Sequence, residues 1–448
     1  MAVDQDDLAR LAIAYLERQH WYSGAAEPAP PAHAEVVAAR TIREERPGLA
    51  RLVVGAGTRR FQVLVGWRDP SELSTVLRGR ESAILGPVSD GPDQVLAYDA
   101  VADDELLVEL LAHVTGGRER ATLVRRVPSL DSHASVVYDE RLFMKCYRVL
   151  DRGARPEVEV VLGLDRVGFN ALLAPVAHWR EDGLDLAIVR EFLPGALEGR
   201  LLALTSLRDL LAHASGREEG ASSDGGPDAG GAPVVADPED ECASAGGDLA
   251  SEMARLGATT ARLHLALSEA FGDRPASAST VEDAASALGG ARGEGATEVA
   301  ERVASVDPGA AGRSIRLHGD YHLRRVMRSE VGWLVAGFGD DPLYGASEGE
   351  VSRPGRRGSP VEDLADMCNS VHRVAEEALA QRPGSETPLA SELARAWERR
   401  NRSAFLEGYA ATEGVGRLLP RDPSVTELLL SAHELARERR YEATSPDT

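Results

Sequence analysis

Apolar residues recur at helical spacing from Leu8 to Leu16, predicting an amphipathic helix that runs into Gln19-His20-Trp21-Tyr22. Pro28 to Ala34 is rich in Pro and Ala and predicts a loop. Short apolar runs at Leu52-Val53-Val54, Phe61 to Val65 and Val95 to Tyr98 predict strands. Asp103 to Val114 predicts a helix, with Asp103 or Asp104 as its N-cap and Gly116-Gly117 just past its end. A second unit begins near Leu123. There Ser135 to Tyr138, the turn Asp139-Glu140, and Leu142 to Tyr147 form a hairpin pattern. Pro156 opens a helix through Leu164, and Ala187 to Phe192 is a further strand ending at Pro194-Gly195.

From Arg200 the pattern becomes helical. Leu249 to Phe271, Pro360 to Arg382, Glu392 to Tyr409 and Val425 to Arg440 predict helices, with short strands between Ser314 and Asp341. Gly216 to Gly247 is low in apolar residues and rich in Gly, Ala, Ser, Pro and Asp, which predicts a disordered loop. Asp273 to Glu298 reads as loose, and Tyr344 to Ser359 as a Gly/Pro/Arg-rich loop. Strands early and helices late predict an α+β chain with separate lobes.

Composition narrows the class. A chain of 448 residues has room for two or three domains, and its 43% hydrophobic content excludes wholesale disorder. The net charge of −22 argues against nucleic acid or an anionic membrane surface as a partner. Three cysteines far apart exclude a disulfide scaffold, and the acidic start without an apolar run predicts a cytoplasmic protein. Of 50 basic residues only Lys145 is a lysine. A lysine retained where arginine serves elsewhere points to a place that needs a compact ammonium; chance survival at a neutral position is the plain alternative.

Candidate chemistry gathers in two stretches. In Arg316-Leu317-His318-Gly319-Asp320-Tyr321-His322-Leu323-Arg324-Arg325, a carboxylate sits at a tight turn after an apolar strand. Such an Asp can accept a hydroxyl proton and orient an attacking oxygen, although Gly-Asp is also ordinary turn chemistry. The second is Lys145 on its strand with Glu159 on the following helix, either a phosphate clamp or a surface ion pair. His318 and His322 lie four apart across a loop without an evident third ligand, which argues against zinc. Asp363 either caps its helix or braces the loop, and Trp397 and Tyr409 read equally as core or as sugar-stacking residues.

Several segments, in order along nearly the whole chain, resemble actinobacterial maltokinases and their aminosugar-kinase relatives in the aminoglycoside-phosphotransferase-like superfamily. Gln19 to Gly24 resembles the family's "QRWFAGK", Leu142 to Arg148 "LKLYRR", and Pro156 to Glu159 "NPDVE". Gly246 to His264 resembles "GGDF…LGxxTAxLH", Ser359 to Met367 "SPLRDVAGM", and Trp397 to Tyr409 the late "W…FLxGY" helix. The strand Gly332 to Phe338, a dozen residues after the His-Gly-Asp triplet, follows the spacing of the metal-side strands in kinase-like phosphotransferases.

The resemblance implies a two-lobed kinase-like fold. Its parts are an N-terminal cap over residues 1–105, a nucleotide-clamping lobe over 106–199, and a helical lobe over 200–448 with its disordered insertion at 216–247. It implies transfer of the γ-phosphoryl of ATP to a hydroxyl of a small sugar, maltose or an aminosugar, with Mg2+ as the metal. Asp320 is then the base and Lys145 with Glu159 the clamp. Ser129 to Ser135 is the loop over the phosphates, with Ser135 and Glu191 also at the nucleotide and His322, Trp397 and Tyr409 at the acceptor. Two positions depart from the family. Its metal-binding Gln is Arg325 here, and its principal metal-binding Asp is Gly337. That leaves Asp340 and Asp341 as candidate ligands from the next turn. It also raises a rival reading, a pseudokinase that binds nucleotide or sugar and acts through a protein partner.

Overall fold

The structure is a computed structural model that describes residues 3–23, 34–127, 133–150, 153–223, 242–243, 248–278, 281, 284–285, 288, 294–338, 356–381 and 388–442. The chain divides into two compact units, residues 1–159 with 173–194, and residues 160–172 with 195–448.

The first unit contains two antiparallel sheets. Helices α1 (Gln5–Leu16) and α2 (His20–Ser23) precede strands β1 (Ala34–Arg43), β2 (Gly48–Ala56) and β3 (Arg59–Arg68). Helix α3 (Pro70–Val76), strands β4 (Ile84–Asp90) and β5 (Asp93–Asp99), and helix α4 (Asp104–Val114) follow. The first sheet has the order β1-β2-β3-β5-β4. Asp4 caps α1 through the amides of Asp6 and Asp7, and the helix buries Leu8, Leu11, Tyr15 and Leu16 in a core with Phe61, Val63, Val65 and Val95. At Gly66 an added Cβ would strike Leu106 of α4, so the second face of β3 is also covered. β2 is accordingly buried along its whole length and β3 from Phe61 onward, rather than at alternate positions.

The second sheet, ordered β10-β11-β8-β7-β6, is built from β6 (Val124–Val127), β7 (His133–Tyr138), β8 (Leu142–Tyr147), β10 (Pro175–Glu181) and β11 (Leu184–Glu191). Asp139 and Glu140 both take φ of 49°, the left-handed pair that a two-residue hairpin turn requires. The two sheets are tied together. Strand β9 (Val149–Leu150) pairs with β3, and the Gln62 amide donates to the carbonyls of Tyr147 and Leu186. Helix α5 (Pro156–Arg166) starts in this unit.

The second unit is mainly helical. It holds β12 (Leu197–Glu198), α6 (Gly199–Ser223), α7 (Ala250–Phe271), β13 (Arg274–Pro275), α8 (Glu294–Ala304), β14 (Arg313–Arg316), β15 (Val326–Ser329), β16 (Gly332–Val335) and β17 (Arg357–Gly358). Helices α9 (Pro360–Ala380), α10 (Pro388–Ala410) and α11 (Pro423–Glu442) complete it. An added Cβ on Gly257 would strike the Phe405 carbonyl, and one on Gly408 the Ala254 carbonyl, so α7 and α10 meet backbone to backbone. A capping box between Ser359 and Glu362 starts α9.

Two expectations change here. The stretch from Gly216 to Ser223, expected as loop, is helix, because α6 continues through Ser223. Residues 224–241 and 244–247 of that segment lie outside the described residues, while Cys242 is buried with its thiol toward the Leu393 carbonyl at 3.9 Å. Strand β1 was not expected, since its Ala- and Arg-rich sequence lacks the apolar alternation of a strand. Among the described residues no helix is long and apolar enough to cross a membrane.

Candidate active site

Lys145 sits in the middle of β8, only 1% exposed, opposite Ser135 of β7 on one side and Ile188 of β11 on the other. Strand alternation puts Tyr147 on the same face, with His133 opposite it. The Lys145 ammonium donates to Glu157 Oε2 at 3.0 Å, and the Tyr147 hydroxyl donates to Glu157 Oε1. Burial pushes the Glu157 carboxyl up, but the Lys145 charge, the Tyr147 hydrogen bond and the Arg155 charge outweigh it and hold it down at about 2. Arg155 stacks 4.1 Å from the Tyr147 ring centroid. Burial first, and then the Lys145 charge, depress the His133 imidazole to about 3, so it is neutral.

The carboxylate on Lys145 is therefore that of Glu157, a correction to the role expected of Glu159. Glu159 lies two residues on, about 200° around the helix axis, and is exposed. Ser135 faces Lys145 across the strand pair, with its buried hydroxyl unpartnered among the described residues. Because Ser135 lies inside β7, it is a strand residue rather than part of a phosphate loop. Residues 128–132 of that loop lie outside the described residues. Glu191 is exposed at the end of β11, and its backbone N–H is committed to the Ala174 carbonyl.

In the second unit the His-Gly-Asp triplet follows β14. Gly319 adopts φ of 82°, a conformation that favours glycine. One side chain fixes this turn: Asp363, at the start of α9, accepts the backbone N–H groups of His318 at 2.9 Å and Gly319 at 3.0 Å. Its Oδ2 also meets His264 Nε2 at 3.2 Å, and His264 Nδ1 meets the Tyr409 hydroxyl at 2.9 Å. Burial raises the Asp363 carboxyl, yet these partners hold it below the usual carboxylate range. His318 donates from Nε2 to the Ala336 carbonyl at 3.1 Å, and burial pushes it down to about 4.

Asp320 is buried beside this turn. Its Oδ2 accepts from Arg325 Nε at 3.0 Å and Nη2 at 2.6 Å, and its Oδ1 lies 3.3 Å from His322 Nε2. Burial opposes ionisation, but His322 and Arg325 prevail and hold the carboxyl well below its ordinary value. His322 also caps the turn Leu323–Arg325, accepting the Arg324 N–H. Arg325 is 2% exposed, and a Cβ on Gly337 would lie 2.6 Å from Arg325 Cδ and 3.0 Å from Nη1. The guanidinium thus fills the room a side chain at 337 would need.

Trp397 and Tyr409, expected at the acceptor, are core residues. Trp397 is 2% exposed and donates to Ser206 Oγ at 3.0 Å, while Tyr409 is fully enclosed on His264. Neither ring face is open to a sugar. Asp340 and Asp341 lie outside the described residues. Sequence reasoning missed Glu157 and His264. Glu157 carried a signal as the other first-turn acid of α5, and His264, in mid-helix of α7, as the last residue of the segment resembling "LGxxTAxLH".

Comparison with known proteins agrees with this architecture. Residues 15–103 match the family model of the Maltokinase N-terminal cap domain. A glucosamine kinase of Streptacidiphilus jiangxiensis is 26% identical over 283 residues, 57% of this chain. The match spans about half of that relative's length, 54%. A solved glucosamine kinase in complex with glucosamine, ADP and inorganic phosphate superposes with a TM-score of 0.59 at 21% identity, covering 95% of this chain and 93% of that one. Another crystal form of glucosamine kinase gives a TM-score of 0.57 at 21% identity, over 96% of this chain and 92% of that one. The chain thus carries a maltokinase-type N-terminal cap and has the two-lobed kinase-like fold of glucosamine kinase.

Proposed function

We propose that this protein is an ATP-dependent sugar phosphotransferase that moves the γ-phosphoryl group of ATP to a hydroxyl of a small sugar, an aminosugar or maltose. The observation that carries the reading is the buried Lys145–Glu157–Tyr147 cluster. Glu157 stays ionised beside Lys145, whose ammonium stands at a fixed place on β8, suited to nucleotide phosphates. Ser135 adds a hydroxyl on the same face. Asp320, on the turn pinned by Asp363, is the residue suited to orient an acceptor hydroxyl, with His322 beside it. Magnesium is the metal such chemistry ordinarily uses, where it neutralises phosphate charge. The capped, glucosamine-kinase-like fold supports the substrate class. Three free, buried cysteines suit a cytoplasmic location, and the acidic charge disfavours nucleic acid as a partner.

An ADP-release assay over glucosamine, maltose and other sugars, with magnesium and manganese varied, tests the reading. Sugar-dependent ADP release lost in Lys145→Ala supports it; no release with any sugar overturns it. The Arg325–Asp320 pair favours a second reading, a pseudokinase that binds nucleotide or sugar and acts through a protein partner. ADP binding without turnover is its signature.

A further inference from the structure

Arg325 and Gly337 fit one another and do not fit a divalent metal. Magnesium takes hard oxygen ligands in octahedral array, whereas a guanidinium has only donors and carries its own positive charge. The Asp320 carboxylate is not open to a metal on one side, since Arg325 already covers its Oδ2 with two N–H groups. Gly337 brings no side chain, and its φ of 68° together with the guanidinium packed against it disfavours one. The two positions are also held side by side through the backbone, since Ala336 N–H donates to the Arg325 carbonyl at 2.8 Å. Among the described residues no group of three His, Cys, Asp or Glu side chains is placed to hold a metal.

One donor in this arrangement is unused. Arg325 Nη1 is buried, has no acceptor among the described residues, and lies on the side of the bare Gly337 Cα. A buried guanidinium N–H without an acceptor is costly, and phosphoryl oxygens are the acceptors that arginine matches best. We propose that Arg325 stands in place of the divalent cation as a resident positive charge, offering Nη1 to a phosphoryl oxygen, so that this protein binds nucleotide without divalent metal. The ligand class rests on the phosphotransferase reading above; the metal independence rests on Arg325 and Gly337. The arginine supplies charge and a directional hydrogen bond, and it cannot exchange or dissociate as a metal does.

Calorimetric titration of the full chain with ADP, once in EDTA and once in excess magnesium, tests this. The expected dissociation constants agree within about twofold, because the resident charge is always present. Arg325→Gln is expected to weaken ADP binding in EDTA by at least about tenfold, the size of a lost hydrogen bond to a charged group. Since that variant leaves Asp320 buried without its partner, its folding is checked by thermal melting. Arg325→Lys, which keeps a charge but lacks Nη1, is the second variant and is expected to fall between the two. ADP binding that requires magnesium in the wild type would overturn the proposal and return the role to acidic groups such as Asp340 or Asp341. Metal-independent binding left unchanged by both variants would overturn it as well, by showing that the phosphate rests elsewhere. Failure of ADP to bind in either buffer overturns the nucleotide reading itself, and this proposal with it; Lys145→Ala losing affinity in both buffers upholds that reading separately.

Discussion

Lys145 and Asp320 both lie buried in ion pairs, yet the two pairs are built to opposite ends. In the first unit the cation is the group of interest and the acid is its anchor. Glu157 takes a second hydrogen bond from Tyr147, which fixes the carboxylate that Lys145 donates to. In the second unit the acid is the group of interest and the cation covers it. Both Asp320 oxygens face positive or hydrogen-bonding side chains. Desolvation works against the charge in each place, so each ion pair exists only because its partner offsets that cost. The same physics therefore presents a charge in one unit and masks one in the other.

The largest effect is expected from separating the masked pair. Arg325→Met strands the Asp320 carboxylate, and loss of one partner of a buried pair costs about 3–5 kcal/mol of stability. Asp320→Leu combined with Arg325→Met removes both charges and should recover most of that loss. Denaturant unfolding of the two single variants and the double variant reads the coupling. Equal and additive losses would show that the contact carries little energy.

The presented pair gives a sharper contrast. Glu157→Ala leaves Lys145 buried without its anchor and should cost about 3–5 kcal/mol. Glu159→Ala, at an exposed position of the same turn, should cost no more than about 1 kcal/mol. The reverse order in paired thermal melts would return the clamp to Glu159.

Acid titration separates the groups further. His133, depressed from 6.5 to about 3, and His318, depressed to about 4, stay neutral in the folded chain while the unfolded chain takes up protons. Stability is then complete above about pH 6.5 and is lost progressively as pH falls toward their folded values. Glu157, lowered from 4.5 to about 2, adds a contribution present above pH 4.5 and lost as pH falls through 2. His133→Phe should flatten the upper part of this acid limb, and Glu157→Gln only the part below about pH 4.5. Unfolding free energies that stay level from pH 7 to pH 4 would contradict the burial of both imidazoles.

How much of this was visible beforehand depends on range along the chain. The Asp139-Glu140 hairpin and the Asp103 cap of α4 are local, and local chemistry specifies them. The register that sets Ser135 opposite Lys145 follows from that hairpin. The choice between Glu157 and Glu159 was not visible, because it depends on how α5 is rotated about its axis, which tertiary packing sets. The relay from Tyr409 through His264 to Asp363 joins three distant segments, and no local pattern announces it. That Arg325 and Gly337 offer no side-chain oxygen to a metal was plain in the sequence. That one side chain fills the space vacated at the other needed the fold.

The smallest effect concerns Trp397, and it decides between a core and a sugar platform. The indole is buried in α10 and its N–H donates to Ser206 of α6. Trp397→Phe keeps an aromatic ring and loses that hydrogen bond, leaving the Ser206 hydroxyl to find another partner. The expected cost is about 1–2 kcal/mol, seen as a modest drop in Tm. A ring enclosed on all sides cannot stack on a ligand, so the KM for any accepted sugar should stay within about twofold, where loss of a stacking contact would exceed it. A raised KM with an unchanged Tm would make Trp397 a ligand contact and would require α10 to open. A lowered Tm with an unchanged KM fits the helix packing seen here, in which Trp397 holds α10 to α6 while the chemistry is carried by the loop that Asp363 pins.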